Sequence, residues 1–219
     1  MKTIRQKLRA SLFMLAAFAA WTAAVCCIDV QPIGALSSPV GLAGINQAFH
    51  QWTGVHLWLY TVTDWLSLIP AALCAGFGLL GLWQWIQRKH LLRVDGDLLA
   101  LGGFYLAVMA AYLFFEMFPV NYRPILIDGV LEPSYPSSTT MLVLCVMPTA
   151  AMQLRRRIKG AALRRFVILS INGFAACMAA ARLLSGVHWL SDIIGGALLS
   201  GGLVLLYDAV CRLNSAAEK

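Results

Sequence analysis

His188 and Asp192 stand four residues apart in ARLLSGVHWLSD, residues 181–192. On a helix that spacing puts both side chains on one face. A carboxylate so placed holds an imidazole in one tautomer and stabilises its charged form, as a histidine nucleophile or base requires. The same spacing also suits a plain capping contact at a helix start. Two cations tip the balance. Arg123, in NYRP, and Arg182, six residues before His188, carry guanidinium groups that match phosphate oxygens in a two-pronged fashion. Pro136-Ser137-Ser138-Thr139 adds a hydroxyl-rich turn. Short turns and helix N-termini also offer backbone N–H groups to anions. Together these residues make a candidate site for a phosphate ester.

Elements of a particular kind must carry them. The 219 residues are 60% hydrophobic and 12% charged, whereas a soluble domain is about half apolar and about a quarter charged. A membrane span needs about 20 mostly apolar residues. Six runs approach that length: roughly Ala10–Cys27, Trp65–Trp85, Leu98–Phe118, Ser138–Met152, Phe166–Leu184 and Ser191–Val210. The expected fold is therefore all-α, an integral membrane six-helix bundle forming one domain over residues 1–219. The first run follows a basic stretch, MKTIRQKLR, as a secretory signal would. Its apolar length favours a retained span, and Val25 and Cys26 are poor residues ahead of a lipid-modified cysteine. Between spans one and two, Leu42, Ile45, Phe49 and Trp52 draw one apolar stripe through residues 40–54. This predicts a short interfacial helix along the membrane surface. The six cysteines lie in or beside apolar runs and read as small buried hydrophobes, without metal-ligand spacing.

The net charge of +7 does not point to nucleic acid, because the cations sit in clusters between apolar runs. Cytoplasmic loops collect Lys and Arg. With both termini cytoplasmic, that side takes Lys2, Arg5, Lys7 and Arg9, then Arg88, Lys89 and Arg93. It also takes the Arg155–Arg165 cluster, Arg212 and Lys219. Arg123 and Arg182 alone are left on the outer side. A cation at membrane depth is costly and usually faces the bundle interior or water; a snorkelling interface residue is the plainer alternative. Here both exceptions fall beside the His–Asp pair, which favours a functional role.

On these residues the chain resembles the membrane branch of the type 2 phosphatidic acid phosphatase family. The family pattern has three pieces. In Lys-x6-Arg-Pro, Arg123 and Pro124 match, but Glu116 stands at the lysine. In Pro-Ser-Gly-His, Pro136 and Ser137 match, while Ser138 and Thr139 replace glycine and histidine. In Ser-Arg-x5-His-x3-Asp, Arg182, His188 and Asp192 match and Ala181 replaces serine. The resemblance implies that His188 attacks phosphorus to form a phosphohistidine and that Asp192 orients it. It implies that Arg123, Arg182, Ser137 and Ser138 hold the phosphoryl oxygens. It further implies a lipid phosphate or diphosphate as substrate, no metal or cofactor, and a multi-pass cell-membrane protein with an extracytoplasmic site. Oligomeric state stays open.

The departures set expectations of their own. The family's second-piece histidine is the general acid, and the Thr139 hydroxyl is far too weak an acid to replace it. Such catalysis contributes about 10²–10⁴-fold, so a diphosphate, with its better leaving group, is favoured over a monoester. His50 or His56, in the outer loop, could fold over the site and supply a proton, or simply make interfacial hydrogen bonds. Glu116 could pair with Arg123 or Arg182, be protonated, or meet a cationic headgroup. Asp128 and Glu132 read as solvated. Two altered positions also keep alive a lipid phosphotransferase, and a relative that binds or translocates a phosphorylated lipid carrier without hydrolysis.

Overall fold

The computed structural model of the chain describes residues 2–217; Lys219, placed above among the cytoplasmic cations, lies outside them. Eight α-helices form: α1 (Lys2–Cys27), α2 (Ala43–Thr53), α3 (Leu57–Leu66), α4 (Leu68–Arg88), α5 (Gly96–Met117), α6 (Ser138–Arg157), α7 (Ala161–Leu184) and α8 (Leu190–Ala217). No strand forms among the described residues; β-type pairing is confined to isolated bridges in loops. The all-helical expectation holds.

The breaks follow the breakers. α4 stops where Lys89 takes the left-handed conformation, α6 starts directly after Pro136-Ser137, and α7 ends at Ser185-Gly186. Gly186 has a φ of 71°, and a Cβ there would collide with the backbone of Gly54 and Val55. Only glycine lets the α2–α3 loop close over the α7–α8 loop in this way. His56 N donates to Ser185 O across the same contact at 2.9 Å.

Among the described residues, five lengths are long and apolar enough to cross a membrane: α1, α3 and α4 taken as one 32-residue length, α5, α7 and α8. The expected fourth span, α6, is not among them. Its position explains why. α6 lies against α7 and α8 with eleven buried residues, including Thr139, Thr140, Thr149 and Gln153. A helix enclosed by other helices needs no apolar face toward lipid, so it can carry polar groups that find partners inside. Gln153 donates to Asp97 O at 3.1 Å, and Thr149 Oγ1 donates to Cys145 O at 2.8 Å. α8 is the other interior helix. α1 packs along it, and Ser11 Oγ donates to Gly202 O at 2.8 Å.

The predicted surface segment does fold as a helix, α2. Asn46, inside the apolar stripe, is buried against α8, whereas Ile45 and Trp52 are exposed. The cysteines depart from expectation. Cys145 and Cys211 are buried, but Cys26, Cys27 and Cys177 are exposed on the outer faces of their helices.

Hairpin connections gather the ends. Lys7 pairs with Asp208 at 2.5 Å, Arg88 with Asp95 at 2.9 Å and Arg156 with Asp97 at 3.4 Å. These contacts bring the start of α1, the α4–α5 turn and the ends of α6 and α8 together at one end of the bundle. The α2–α3 region, the α5–α6 loop and the α7–α8 loop meet at the other.

Candidate active site

The α7–α8 loop carries His188, which is 3% exposed. Its Nδ1 lies 3.2 Å from Ser134 O. A carbonyl has no proton to give, so Nδ1 carries the hydrogen and Nε2 keeps its lone pair. Nε2 is buried with no hydrogen-bond partner.

Asp192 lies in the first turn of α8 and is fully buried. The helix begins only at Leu190, so the pair does not share a helical face as the spacing predicts. Instead Asp192 Oδ2 accepts from Trp189 N at 2.9 Å, the backward reach of a capping box. The same oxygen is 3.8 Å from His188 Nδ1. Capping and histidine orientation, set against each other in the sequence, share one carboxylate. Its Oδ1 accepts from Asn121 Nδ2 at 3.2 Å and lies 3.4 Å from Ser191 Oγ.

Two arginines approach from other elements. Arg182, 2% exposed on the last turn of α7, donates through Nη1 to Thr63 Oγ1 at 3.0 Å and stands 4.7 Å from the Tyr60 ring centroid. Arg123, 7% exposed in the α5–α6 loop, stands 5.8 Å from the same ring. Its Nε ion-pairs Glu132 Oε2 at 2.9 Å, so Glu132 is not the freely solvated residue expected. Arg182 Nε and Arg123 Nη1 are buried without hydrogen-bond partners. Burial pulls the His188 imidazole from its ordinary value down to about 4; the Asp192 carboxylate opposes the shift and both guanidinium groups add to it. Arg123, Arg182, His188 and Asp192 therefore share one electrostatic neighbourhood.

The remaining candidates divide. Ser137 is fully buried at the start of α6; its N–H donates to Asp192 O at 3.2 Å and its Oγ accepts from Thr140 Oγ1 at 3.0 Å. Ser138 and Glu116 line one pocket with His188, Ser134 and Tyr112. Thr139 is buried and does not line that pocket. His50 bonds Gly186 O at 3.1 Å with its ring tilted against Trp189 at 5.4 Å, and His56 bonds Thr53 O at 2.9 Å. Both histidines are thus committed to holding the loops together.

Residues not singled out from the sequence complete the setting. Asn121 bridges Gly41 N to Asp192, and Asn46 receives Ser191 N and donates to Ser191 Oγ. Asn46 lies beside the stripe of Leu42, Ile45, Phe49 and Trp52, and Asn121 is the first residue of NYRP; both are signals a closer reading can use. Tyr60 and Thr63 carried none.

Residues 117–212 match the PAP2 superfamily model. The resemblance to the type 2 phosphatidic acid phosphatase family holds, and the PAP2 match contains Arg123, Ser137, Thr139, Arg182, His188 and Asp192. Glu116 falls one residue before it. The structure is similar over its length to "Crystal structure of the first transmembrane PAP2 type phosphatidylglycerolphosphate phosphatase from Bacillus subtilis". The TM-score is 0.60 at 18% identity, over 94% of this chain and 96% of that one. At that identity the likeness establishes a membrane PAP2 fold. No curated protein matches the chain.

Proposed function

We propose that the protein is an integral membrane lipid phosphatase that removes phosphate from a lipid phosphate or pyrophosphate through a phosphohistidine on His188. One observation carries the reading. A buried imidazole nitrogen with its lone pair free shares a neighbourhood with two guanidinium groups, each of which keeps a buried nitrogen without a hydrogen-bond partner. Leaving buried donors unpaired costs about 1–3 kcal/mol each. A bound phosphoryl group satisfies all of them together.

In this reading His188 Nε2 attacks phosphorus while Ser134 O and Asp192 hold the Nδ1–H side. Arg123 and Arg182 neutralise the phosphoryl oxygens, and their charge counts most in the transition state, where the oxygens are least shielded. Ser137 fixes the first turn of α6 against Asp192. Ser138 N–H and its neighbours at the start of α6 supply further donors.

The site belongs at the extracytoplasmic membrane boundary. Trp65 near one end of α4 and Trp83 and Trp85 near the other are exposed. They are separated by 18 to 20 residues, or about 27–30 Å along a helix, close to the hydrocarbon thickness of about 30 Å. Aromatic belts mark both boundaries of a membrane. α3, which contributes Tyr60 and Thr63, then lies at the outer boundary, and α2 lies along it with Ile45 and Trp52 toward lipid. The opposite end holds the clustered cations, which supports a cytoplasmic position for both termini. The packing of α1 along α8 supports a retained first span. Six crossings follow if α6, enclosed by its neighbours, crosses with them.

Phosphate release from lipid monophosphates and diphosphates in detergent micelles, with His188→Ala as control, tests the reading. Release that depends on His188 is expected. Equal release by both proteins favours the second reading, a relative that binds or translocates a phosphorylated lipid.

A further inference from the structure

Thr139 leaves the reaction without its expected proton donor, and the geometry points to another. We propose that Glu116 is the proton-transferring residue of this site, donating to the leaving oxygen and then accepting a proton from the hydrolytic water. The proposal rests on the phosphatase reading above. Three observations support it. Glu116, at the end of α5, lines the same pocket as His188 and Ser138, whereas Thr139 does not line it. Glu116 forms no ion pair among the described residues, because Arg123 is paired with Glu132 and Arg182 is bonded to Thr63 and Tyr60. It is therefore not a counter-ion for either phosphate-binding guanidinium. It is also exposed, so it can exchange protons with water.

A carboxylate beside a phosphate site is unfavourable while both are charged. That repulsion is what makes it a proton carrier. A carboxyl in that position can hand a proton to the departing oxygen and take one back from water. His188 Nε2 then forms the N–P bond as the P–O bond to the lipid breaks, and the Glu116 proton passes to the departing oxygen. In the second half a water oxygen forms its bond to phosphorus and the N–P bond breaks. The water's proton returns to the Glu116 carboxylate, His188 is regenerated neutral, and inorganic phosphate leaves. With this donor the restriction imposed by Thr139 disappears, and a lipid monoester with a poor alkoxide leaving group becomes a competent substrate.

Glu116→Gln and Glu116→Lys, assayed in the full-length protein in micelles, separate the possibilities. The substrates are a lipid phosphate monoester and an aryl phosphate with a nitrophenolate leaving group. For Glu116→Gln a loss of about 10²-fold or more is expected on the monoester, the usual scale for general acid–base catalysis. On the aryl phosphate the leaving group needs no proton, so one equivalent of nitrophenolate is released. An alkali-stable phosphohistidine then accumulates for want of a base. That burst also shows that the variant is folded and binds substrate. Glu116→Lys installs the family's cation and is expected to lose monoester turnover as well. Monoester turnover by Glu116→Gln within threefold of wild type overturns the proposal. So does Glu116→Lys activity at or above wild type, which would make position 116 purely electrostatic. A Glu116→Gln protein that forms no phosphohistidine from either substrate makes Glu116 structural and overturns it too. If wild type releases no more phosphate than His188→Ala, the phosphatase reading itself fails.

Discussion

The two ends of the bundle use the same residue types and reach opposite states. At the end holding the termini, each acid is shared by more than one donor. Asp95 receives Arg88 at 2.9 Å and Gln84 at 2.8 Å, Asp97 lies 3.4 Å from Arg156 and 3.5 Å from Arg157, and Asp208 joins Lys7 and Arg212. At the other end Arg123, Arg182 and His188 are more deeply buried, yet each keeps a polar nitrogen without a hydrogen-bond partner. Buried polar groups are ordinarily satisfied, and the exceptions call for an explanation. The satisfied end ties helices together. The unsatisfied end is, in the proposed function, where a phosphoryl anion supplies the missing partners.

That contrast breaks most directly at His188, the proposed nucleophile. His188→Ala is expected to lower phosphate release about 10⁴-fold or more, the scale of deleting a covalent nucleophile. Lipid binding should survive, because both arginines remain. Residual turnover within tenfold of wild type would leave the unpartnered imidazole with no role in chemistry. Next in size comes a matched pair. Arg182→Lys keeps the charge but removes the planar fork, and a loss of about 10²–10³-fold in kcat is expected, as for one transition-state donor. Arg156→Lys at the opposite end is expected to change kcat less than about twofold, because an exposed pair tolerates a different cation. Equal effects would erase the distinction between the ends.

The pH profile sharpens the same contrast. Burial, with the two guanidinium groups, lowers His188 to about 4, so its neutral, nucleophilic form persists well below the pH at which a free histidine protonates. The acid limb of kcat/KM is expected below pH 6 if His188 sets it. The linkage sign agrees: an unfolded chain binds this proton near pH 6.5 and the folded one does not until about pH 4. Folding stability therefore falls as pH drops through that window and is insensitive to His188 above it. A limb set by His188 at 6.5 or higher would mean that neither burial nor the arginines act on the imidazole as the geometry implies.

Legibility followed chemistry more closely than geometry. The residues with unusual types at unusual depths, Arg123, Arg182, His188 and Asp192, could be found because a cation or acid at the outer rim contradicts the apolar background. The helices could be found because each lipid-facing run must be apolar. α6 was the weakest of them for a physical reason: its partners are other helices, so its hydropathy reports packing and not lipid. The capping role of Asp192 depends on α8 starting at Leu190, two residues after His188, so that Trp189 and not His188 heads the helix. The clasp of Gly54 on Gly186 and the sharing of Tyr60 by both arginines are contacts between segments more than 60 residues apart. No local pattern encodes them. Asn46 and Asn121 lie between these cases, visible as polar interruptions but without a partner until the fold supplies one.

The smallest effect is expected where the comparison began, at the satisfied end. Arg88→Gln removes one of two cations near Asp95 and leaves Gln84 in place. The Arg88–Asp95 pair is partly exposed on both sides, at 41% and 40%, so screening by water limits its worth to about 0–1 kcal/mol. Burial works against the Asp95 charge, but Gln84, Arg88 and Arg157 outweigh it and hold the carboxyl below its ordinary range. A carboxyl held low contributes stability above its unfolded value and loses it as pH falls through the folded one. The difference between Arg88→Gln and wild type in thermal melting should therefore be small at neutral pH and vanish in strong acid. Phosphate release should not change at either pH. A large loss of activity would mean that the network at this end reaches through α5 to Glu116, and the two ends would no longer be separable.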